Sequence, residues 1–482
     1  MNTIYNATTY ASKYKLIGVY LILFAILCSF YNVGVYGLDR YHALAYLFLA
    51  ATAVILHLLS VSDRNWLRID TLFISGFMVV NYQWPIMAAY FDITPMYSFQ
   101  STPLFEYGNY SMWLSTASLL CWLTGYSTGI KMTIGRRDAL SGFSKVGASF
   151  LIAMLAFTLT AGTEFFSRDI YTESQDYLYQ TIGGVASYLS IILDILCIIL
   201  LSYISYEYLI SKKIGTSTER ISSKTLFGIA LICAYAIIYL FGGERGQIVQ
   251  IFTAIALVYG TNIRPITALQ FVLMLIVGFT LFSMFGMYRG YSAGYSSNFL
   301  ETYGIWEISS GFAQSVFPTI QAISLVNGNG DFFYGSLWVS QILGLIPFMQ
   351  GFFLSWTGWQ IQDISSSMQL TVFTFGSSPN TGMGTSFVAD PYLNFGIGGI
   401  IAISFAHGII SRIMASWLTA EAGFVRFFCA VSFGSLAFYI TRGSTLVQMQ
   451  PIVWGVAIAA SITGIRLFPA RRSPADIEQP TR

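Results

Sequence analysis

Gly184-Val-Ala-Ser-Tyr-Leu-Ser-Ile-Ile-Leu-Asp-Ile-Leu-Cys-Ile-Ile-Leu-Leu-Ser-Tyr-Ile-Ser-Tyr-Glu-Tyr208 is apolar almost throughout, and Asp194 is its one charge before Glu207 near its end. A helix needs about 20 such residues to cross roughly 30 Å of hydrocarbon. Comparable runs recur along the chain. Its 482 residues are 55% hydrophobic and 10% charged, with a mean hydropathy of +0.63, whereas soluble domains carry about a quarter charged residues. The pattern predicts an all-α polytopic membrane protein and leaves no room for a large soluble domain. About twelve spans are expected, near 16–36, 41–59, 69–90, 111–130, 147–163, 184–208, 225–242, 247–262, 266–285, 390–410, 424–441 and 448–466.

The stretch Met1 to Lys15 is polar, so the first apolar run reads as an uncleaved anchor. All five cysteines, at 28, 121, 197, 233 and 429, fall inside apolar runs and are expected to pack rather than pair. Charge asymmetry orients the chain. With a cytoplasmic N-terminus, the connections holding Arg64 and Arg68, Lys131 to Lys145, Lys212 to Lys224, Arg264 and Arg412, and the tail with Arg471 and Arg472, all fall inside. Arg40, Arg168, Arg245, Arg289 and Arg442 are left outside. The segment Ser336 to Trp356 is apolar but interrupted by Gly344, Pro347 and Gly351. Counting it as a span would reverse the basic C-terminal end, so it is expected to be a re-entrant or interfacial helix.

The division that follows is helices one to nine over 1–285, a long outer connection over 286–390, three further spans over 391–468 and a polar tail over 469–482. Long loops are functional or disordered, and the aromatic content of 286–390, with Trp306, Trp338, Trp356 and Trp359, argues for a folded element. Its aromatics read as the core of a folded cap or as platforms for sugar rings.

Several outer residues suit binding of an anion. Arg245 stands in Phe241-Gly-Gly-Glu-Arg-Gly-Gln247, where Gly246 and its neighbours admit close backbone approach and the next helix presents its N-terminus. A guanidinium there suits phosphate or pyrophosphate; the alternative is an ion pair of Arg245 with Glu244. Arg442, in Tyr439-Ile-Thr-Arg-Gly-Ser444, and Arg289, in Tyr288-Arg-Gly290, have the same anion-binding potential, or serve as interfacial anchors. Arg40 and Arg168 are expected to pair locally with Asp39 and Asp169. Asp390 and Asn394 share a helix face at i, i+4, and Asp390 is either a base toward a hydroxyl or a cap of its helix. Asp194, an acid inside an apolar helix, is a functional or packing-polar candidate. No histidine falls in 286–390, the three being His42, His57 and His407, and no acid cluster there has metal-ligand spacing, so neither a metal nor another cofactor is expected.

The stretch Gly384-Thr-Ser-Phe-Val-Ala-Asp-Pro-Tyr-Leu-Asn-Phe-Gly-Ile-Gly-Gly399 resembles the Tyr-Leu-Asn-Phe-Gly pattern of the O-antigen polymerases, the Wzy-type repeat-unit polymerases. Gly-Gly-Glu-Arg-Gly246 and Arg-Gly-Ser444 resemble that family's arginine-glycine sites, and the long connection sits where its periplasmic loop lies. The resemblance implies a GT-C-type glycosyltransferase of the bacterial inner membrane. It would move a growing glycan from undecaprenyl pyrophosphate to the non-reducing end of a new carrier-linked repeat unit. It implies that Arg245, Arg442 and Arg289 hold the pyrophosphate with Gly246, that Tyr392 and Asn394 contact substrate, and that Glu244 or Asp390 assists the acceptor hydroxyl. Membrane lipid and a chain-length regulator are the implied partners; nucleic acid is not. Three rivals stand beside it, one of them a membrane scaffold or receptor without catalysis. An O-antigen ligase typically keeps a histidine in its large loop, which this one lacks. A lipid-linked oligosaccharide flippase would have little use for so long a connection on one face.

Overall fold

The computed structural model describes residues 2–31, 36–61, 64–93, 95, 98–129, 142–162, 175–214, 222–241, 245–292, 307–377 and 382–463. Among them the secondary structure is entirely helical. The first helices are α1 (Asn2–Ser29), α2 (Arg40–Ser60), α3 (Ile69–Phe91), α4 (Ser98–Thr128), α5 (Phe143–Ala161), α6 (Gln175–Ile214), α7 (Ser223–Phe241), α8 (Arg245–Asn262) and α9 (Ala268–Ser292). The long connection holds α10 (Glu307–Ala313), α11 (Phe317–Asn329), α12 (Val339–Leu343), α13 (Met349–Thr357), α14 (Ile361–Ile364) and α15 (Ser366–Phe375). The chain closes with α16 (Ala389–Trp417), α17 (Phe424–Ser435) and α18 (Met449–Thr463).

Among the described residues, six stretches are long and apolar enough to cross a membrane: α2, α3, α5, Val185–Lys212 of α6, Ser223–Leu240 of α7 and α16. Tyr14–Ser29, Ala268–Leu281, Phe424–Ser435 and Met449–Ile462 are apolar but shorter. Leu44, Phe48, Ile55 and Leu59 on α2 stay exposed, as do Leu269, Val272, Ile276 and Val277 on α9. Aliphatic surface on this scale suits lipid rather than water. The protein is a multi-pass helical membrane protein.

Helix α4 explains why polarity and burial part company. Asn109, Ser111, Ser115, Thr116 and Ser118 are all fully buried. Ser115 Oγ and Thr116 Oγ1 donate at 2.7 Å to the carbonyls one turn earlier, so the hydroxyls are satisfied within the helix. Their small size lets α16 approach: the Ser118 and Ser404 hydroxyls are 2.8 Å apart. A Cβ on Gly408 would lie 2.2 Å from Trp122 O. Small residues at a crossing of this kind draw helices together in membranes.

One end of the bundle gathers basic residues. Arg68 makes a two-pronged contact with Asp70 at 2.9 Å, and His57 Nε2 lies 3.0 Å from the same carboxylate. Asn65 Oδ1 accepts from Ile266 N at 3.1 Å, which brings the start of α9 to this end, and the Arg412 guanidinium lies 5.2 Å from the Tyr126 ring centroid. At the opposite end of α3, Arg40 departs from expectation. Its Nη2 reaches Asp92 Oδ1 at 3.6 Å and its Nε donates to Ala89 O at 2.7 Å. Asp39 instead caps α2, accepting from Tyr41 N and His42 N at 3.0 Å; an N-cap carboxylate meets those amides without bending back to Arg40. Arg168 and Asp169 lie outside the described residues.

The expected straight span at 390–410 is broken. Gly396 has φ 63 and ψ −148, a conformation that only glycine adopts readily, and a Cβ there would also strike the Phe332 ring at 2.7 Å. The chain doubles back at this point. The rings of Phe387 and His407 are 5.0 Å apart, whereas twenty residues of straight helix would separate them by about 30 Å. Phe387 also meets Phe73 at 5.3 Å, and Phe73 is only about 6 Å along α3 from its basic end. The leg holding Asp390 therefore dips into the bundle. The expected span at 424–441 likewise stops at Ser435, and 436–448 winds through the interior before α18 begins.

Candidate functional site

Two inward segments meet at Asp390, which is fully buried. Ser366 Oγ donates to its Oδ1. Gln341 Nε2 donates to Oδ2 at 3.1 Å, and Thr445 N donates to Oδ2 at 2.9 Å. Gln341 Oε1 in turn accepts from Leu446 N at 3.0 Å. One carboxylate and one amide thus tie together α15, α12, α16 and the segment after the 3-10 turn Tyr439–Arg442.

This geometry corrects the expected cap role of Asp390 and gives its carboxylate a structural task beside the expected one as a base. As a cap it would accept amides of its own helix, yet the first turn of α16 is met by Ser386, whose Oγ accepts from Ala389 N at 3.0 Å. As a base it would need to reach an acceptor hydroxyl, and it is wholly buried with both oxygens engaged. Asp390 is a clamp. Asn394 Nδ2 donates to Asp390 O at 2.9 Å, which keeps the expected i, i+4 relation, while Asn394 Oδ1 is buried without a partner. Tyr392 is also buried, packed edge-on against Tyr110 at 6.1 Å and Phe332 at 5.8 Å; its ring is core here.

Arg442 is placed differently from the expected helix end. A Cβ on Gly76 would meet Phe438 O at 2.5 Å and Thr441 Oγ1 at 3.0 Å, and Gly76 is roughly 10 Å along α3 from Ile69. The turn carrying Arg442 therefore lies inside the bundle. Its guanidinium sits 5.3 Å from the Phe312 ring centroid and 5.2 Å from that of Tyr439, and such cation–π contacts stabilise a charge in an apolar setting. An arginine at this depth is costly and marks a functional position by default.

Three expected residues fall wholly or in part outside the described ones. Glu244 lies outside the described residues, as do the side chains of Arg245 and Arg289. The backbone places Arg245 at the first position of α8 and Arg289 in the last turn of α9. Gly246 faces open space, since a Cβ there would meet nothing within 4 Å. Neither crowding nor a left-handed backbone requires glycine at that position.

Beyond the clamp, the same chain forms the wall of a cavity of about 170 Å³. Thr445 and Leu446 are held by the clamp. Gln448 Oε1 lies 3.1 Å from His407 Nε2, and Val447 and Gln450 face the cavity. Trp122 Nε1 donates to His407 Nδ1 at 2.9 Å. Indole N–H only donates, so the imidazole proton resides on Nε2 and His407 is a satisfied core residue. The other cavity walls carry Asp194, Gln250 and Ser432, and Tyr235 OH donates to Asp194 Oδ1 at 2.5 Å.

Sequence reasoning missed Gln341 and Ser366, which come from distant parts of the chain and carry no local signal. Gln448 and Gln450 did leave one: two amides at the head of an apolar run. Among the described residues, no group of three or more His, Cys, Asp or Glu side chains gathers to hold a metal. Compared with known proteins, the chain matches no family, no characterised protein and no solved structure.

Proposed function

We propose that the protein polymerises lipid-linked oligosaccharide repeat units of a bacterial surface polysaccharide. It transfers the growing glycan from undecaprenyl pyrophosphate to the non-reducing end of a new carrier-linked unit. The observation that carries this is Arg442, an arginine inside the bundle, flanked by rings, followed by Gly443 and mounted on a segment that Asp390 clamps. A guanidinium so placed suits a pyrophosphate held beside lipid. The space beside Gly246 supports the same reading, because among the described residues nothing crowds the N-terminus of α8 there, where an anion is favoured.

In this scheme the acceptor hydroxyl oxygen forms a bond to the anomeric carbon of the donor glycan. The bond from that carbon to pyrophosphate breaks, and the leaving oxygen takes the electron pair. Arg245, Arg289 and Arg442 stabilise the charge that develops there. Glu244 takes the hydroxyl proton. Asp390 is the positioning residue, since it fixes the segment carrying Arg442 through Thr445 N. The fold is then a bundle of about twelve spans of GT-C type in the inner membrane, with both termini cytoplasmic and the chemistry on the periplasmic side.

The test is genetic. Deleting the gene in its own bacterium and separating surface lipopolysaccharide on a gel should collapse the ladder to lipid A-core bearing a single unit. Loss of even that band would overturn the proposal. Polymer stranded on its carrier would then indicate a ligase, and single units trapped in the cytoplasm a flippase.

A further inference from the structure

Asp194 is an ionisable group in the most apolar part of α6, and the polymerisation scheme gives it no task. It lines the cavity of about 170 Å³ with Gln250, Ser432 and Gln450, against the apolar sides of Ile198 and Phe428. A mainly apolar lining with a few placed polar groups is the usual anatomy of a small-ligand site. Each polar group here comes from a different element: α6, α8, α17 and α18. Convergence of this kind is not needed to hold α6 in place, because the hydrogen bond from Tyr235 already tethers Asp194.

The lining selects a ligand class by elimination. An anion would face the Asp194 carboxylate at close range. A lipid tail would bring no hydrogen-bond partner to the Asp194 carboxylate, which Tyr235 already meets, or to Gln250, whose Nε2 donates to Ser435 Oγ at 3.3 Å, and it would set hydrocarbon against both. A divalent cation would find one carboxylate where hard cations gather six or more oxygens, several of them charged. What remains is a neutral group with several hydroxyls and apolar C–H faces. A cavity of ~150 Å³ in another protein accommodates benzene, so one of about 170 Å³ is on the scale of one small ring and not of a chain of sugars.

The loop Gly344–Phe348 packs on α6 and α18, two of the helices that line the cavity: Leu345 O accepts from Trp454 Nε1 at 2.9 Å, and Phe348 N donates to Tyr188 OH at 3.1 Å. Tyr188 lies on α6 less than two turns before Asp194, and Trp454 about one turn after Gln450 on α18. The loop belongs to the long connection, so the cavity and that connection are mechanically joined.

We infer that the Asp194 cavity is a binding site for one sugar ring of the glycan substrate, with Asp194 accepting from hydroxyls and Gln250 and Gln450 bonding to its neighbours. This rests on the reading of the substrate as a lipid-linked glycan, and it places a sugar contact apart from the arginine sites.

Thiol protection in membrane vesicles tests it. In a chain whose five native cysteines are changed to alanine, Ser432→Cys and, separately, Gln450→Cys put a thiol in the lining contributed by two different helices. Modification by methyl methanethiosulfonate is followed by mass spectrometry with three additions. These are carrier-linked repeat units extracted from the deletion strain, the glycan freed from them by mild acid, and undecaprenyl pyrophosphate alone. The intact units and the freed glycan should slow modification of both thiols, and the carrier alone should not. Asp194→Leu should raise the concentration needed for protection by about tenfold, the value of one hydrogen bond to a charged group. Protection by the carrier alone, or by none of the three, would overturn the inference. Protection with an unaltered ladder in the deletion strain would retain the sugar site and refute the polymerase. A collapsed ladder without protection would do the reverse.

Discussion

Asp390→Ala isolates the clamp. The change removes an acceptor of three donors, Ser366 Oγ, Gln341 Nε2 and Thr445 N, in a residue with no exposed surface. Each buried donor left unpaired costs roughly 1–3 kcal/mol. The serine hydroxyl can rotate to another acceptor, whereas the Thr445 amide is fixed in the backbone. The net destabilisation is therefore about 3–5 kcal/mol, as for breaking other buried charged networks. For a chain of 482 residues that corresponds to a fall of about 3–5 °C in apparent melting temperature. The assay is size-exclusion chromatography of detergent-solubilised protein after stepwise heating. Asp390→Asn should fall by less. A carbonyl in the Oδ2 place still accepts from Thr445 N and Gln341 Nε2, and the amide takes the Oδ1 place, where the Ser366 hydroxyl can turn from donor to acceptor. A melting curve of Asp390→Ala within a degree or so of the unaltered chain would refute the clamp. An Asp390→Asn chain that melts normally yet fails to polymerise would return Asp390 to a chemical role.

Two further outcomes follow from local geometry. Gly408→Ala sets a Cβ 2.2 Å from Trp122 O, so it should part α4 from α16 and lower stability by about 1–3 kcal/mol. Gly398→Ala on the same helix, with nothing within 4 Å, should be neutral or stabilising by up to ~1 kcal/mol; equal losses in a thermal melt would refute the crossing. Asp331 accepts from Tyr334 OH at 2.6 Å and Phe332 N at 2.8 Å, and these bonds hold its carboxyl below the usual carboxylate range. The turn is thus favoured above that range and loses this support as pH falls through the lowered value. Limited proteolysis at 331–334 should quicken in acid with an acid-tolerant protease, and Asp331→Asn should abolish the pH dependence.

The helices were legible because a bilayer fixes their length, and an apolar run such as 184–208 admits little else. The two inward segments were not. Ala389 to Trp417 reads as one span, and Gly396 looks like any glycine of the Gly396-Ile-Gly-Gly399 run until the backbone shows which one turns the chain. Charge counting placed Arg442 at a helix end because 424–441 is apolar to its last residues, yet the helix stops at Ser435 and the arginine lies inside. The partners of Asp390 were hidden for a different reason. Gln341 and Ser366 are 49 and 24 residues away, and proximity of that kind comes from packing, not from local pattern. The i, i+4 relation of Asp390 and Asn394 was readable, because it depends on the helix alone.

The central claim is transfer of glycan between carriers, with Arg442 holding the pyrophosphate. The most direct measurement places the purified protein in liposomes with carrier-linked repeat units extracted from the deletion strain and labelled in the sugar, then separates the products by length. The account predicts a ladder of carrier-linked glycans, with one undecaprenyl pyrophosphate freed for every linkage formed. It also predicts that Arg442→Ala, at an unchanged melting temperature, abolishes both while Arg442→Lys restores only part. Repeat units recovered intact, or a full ladder from Arg442→Ala, would contradict it.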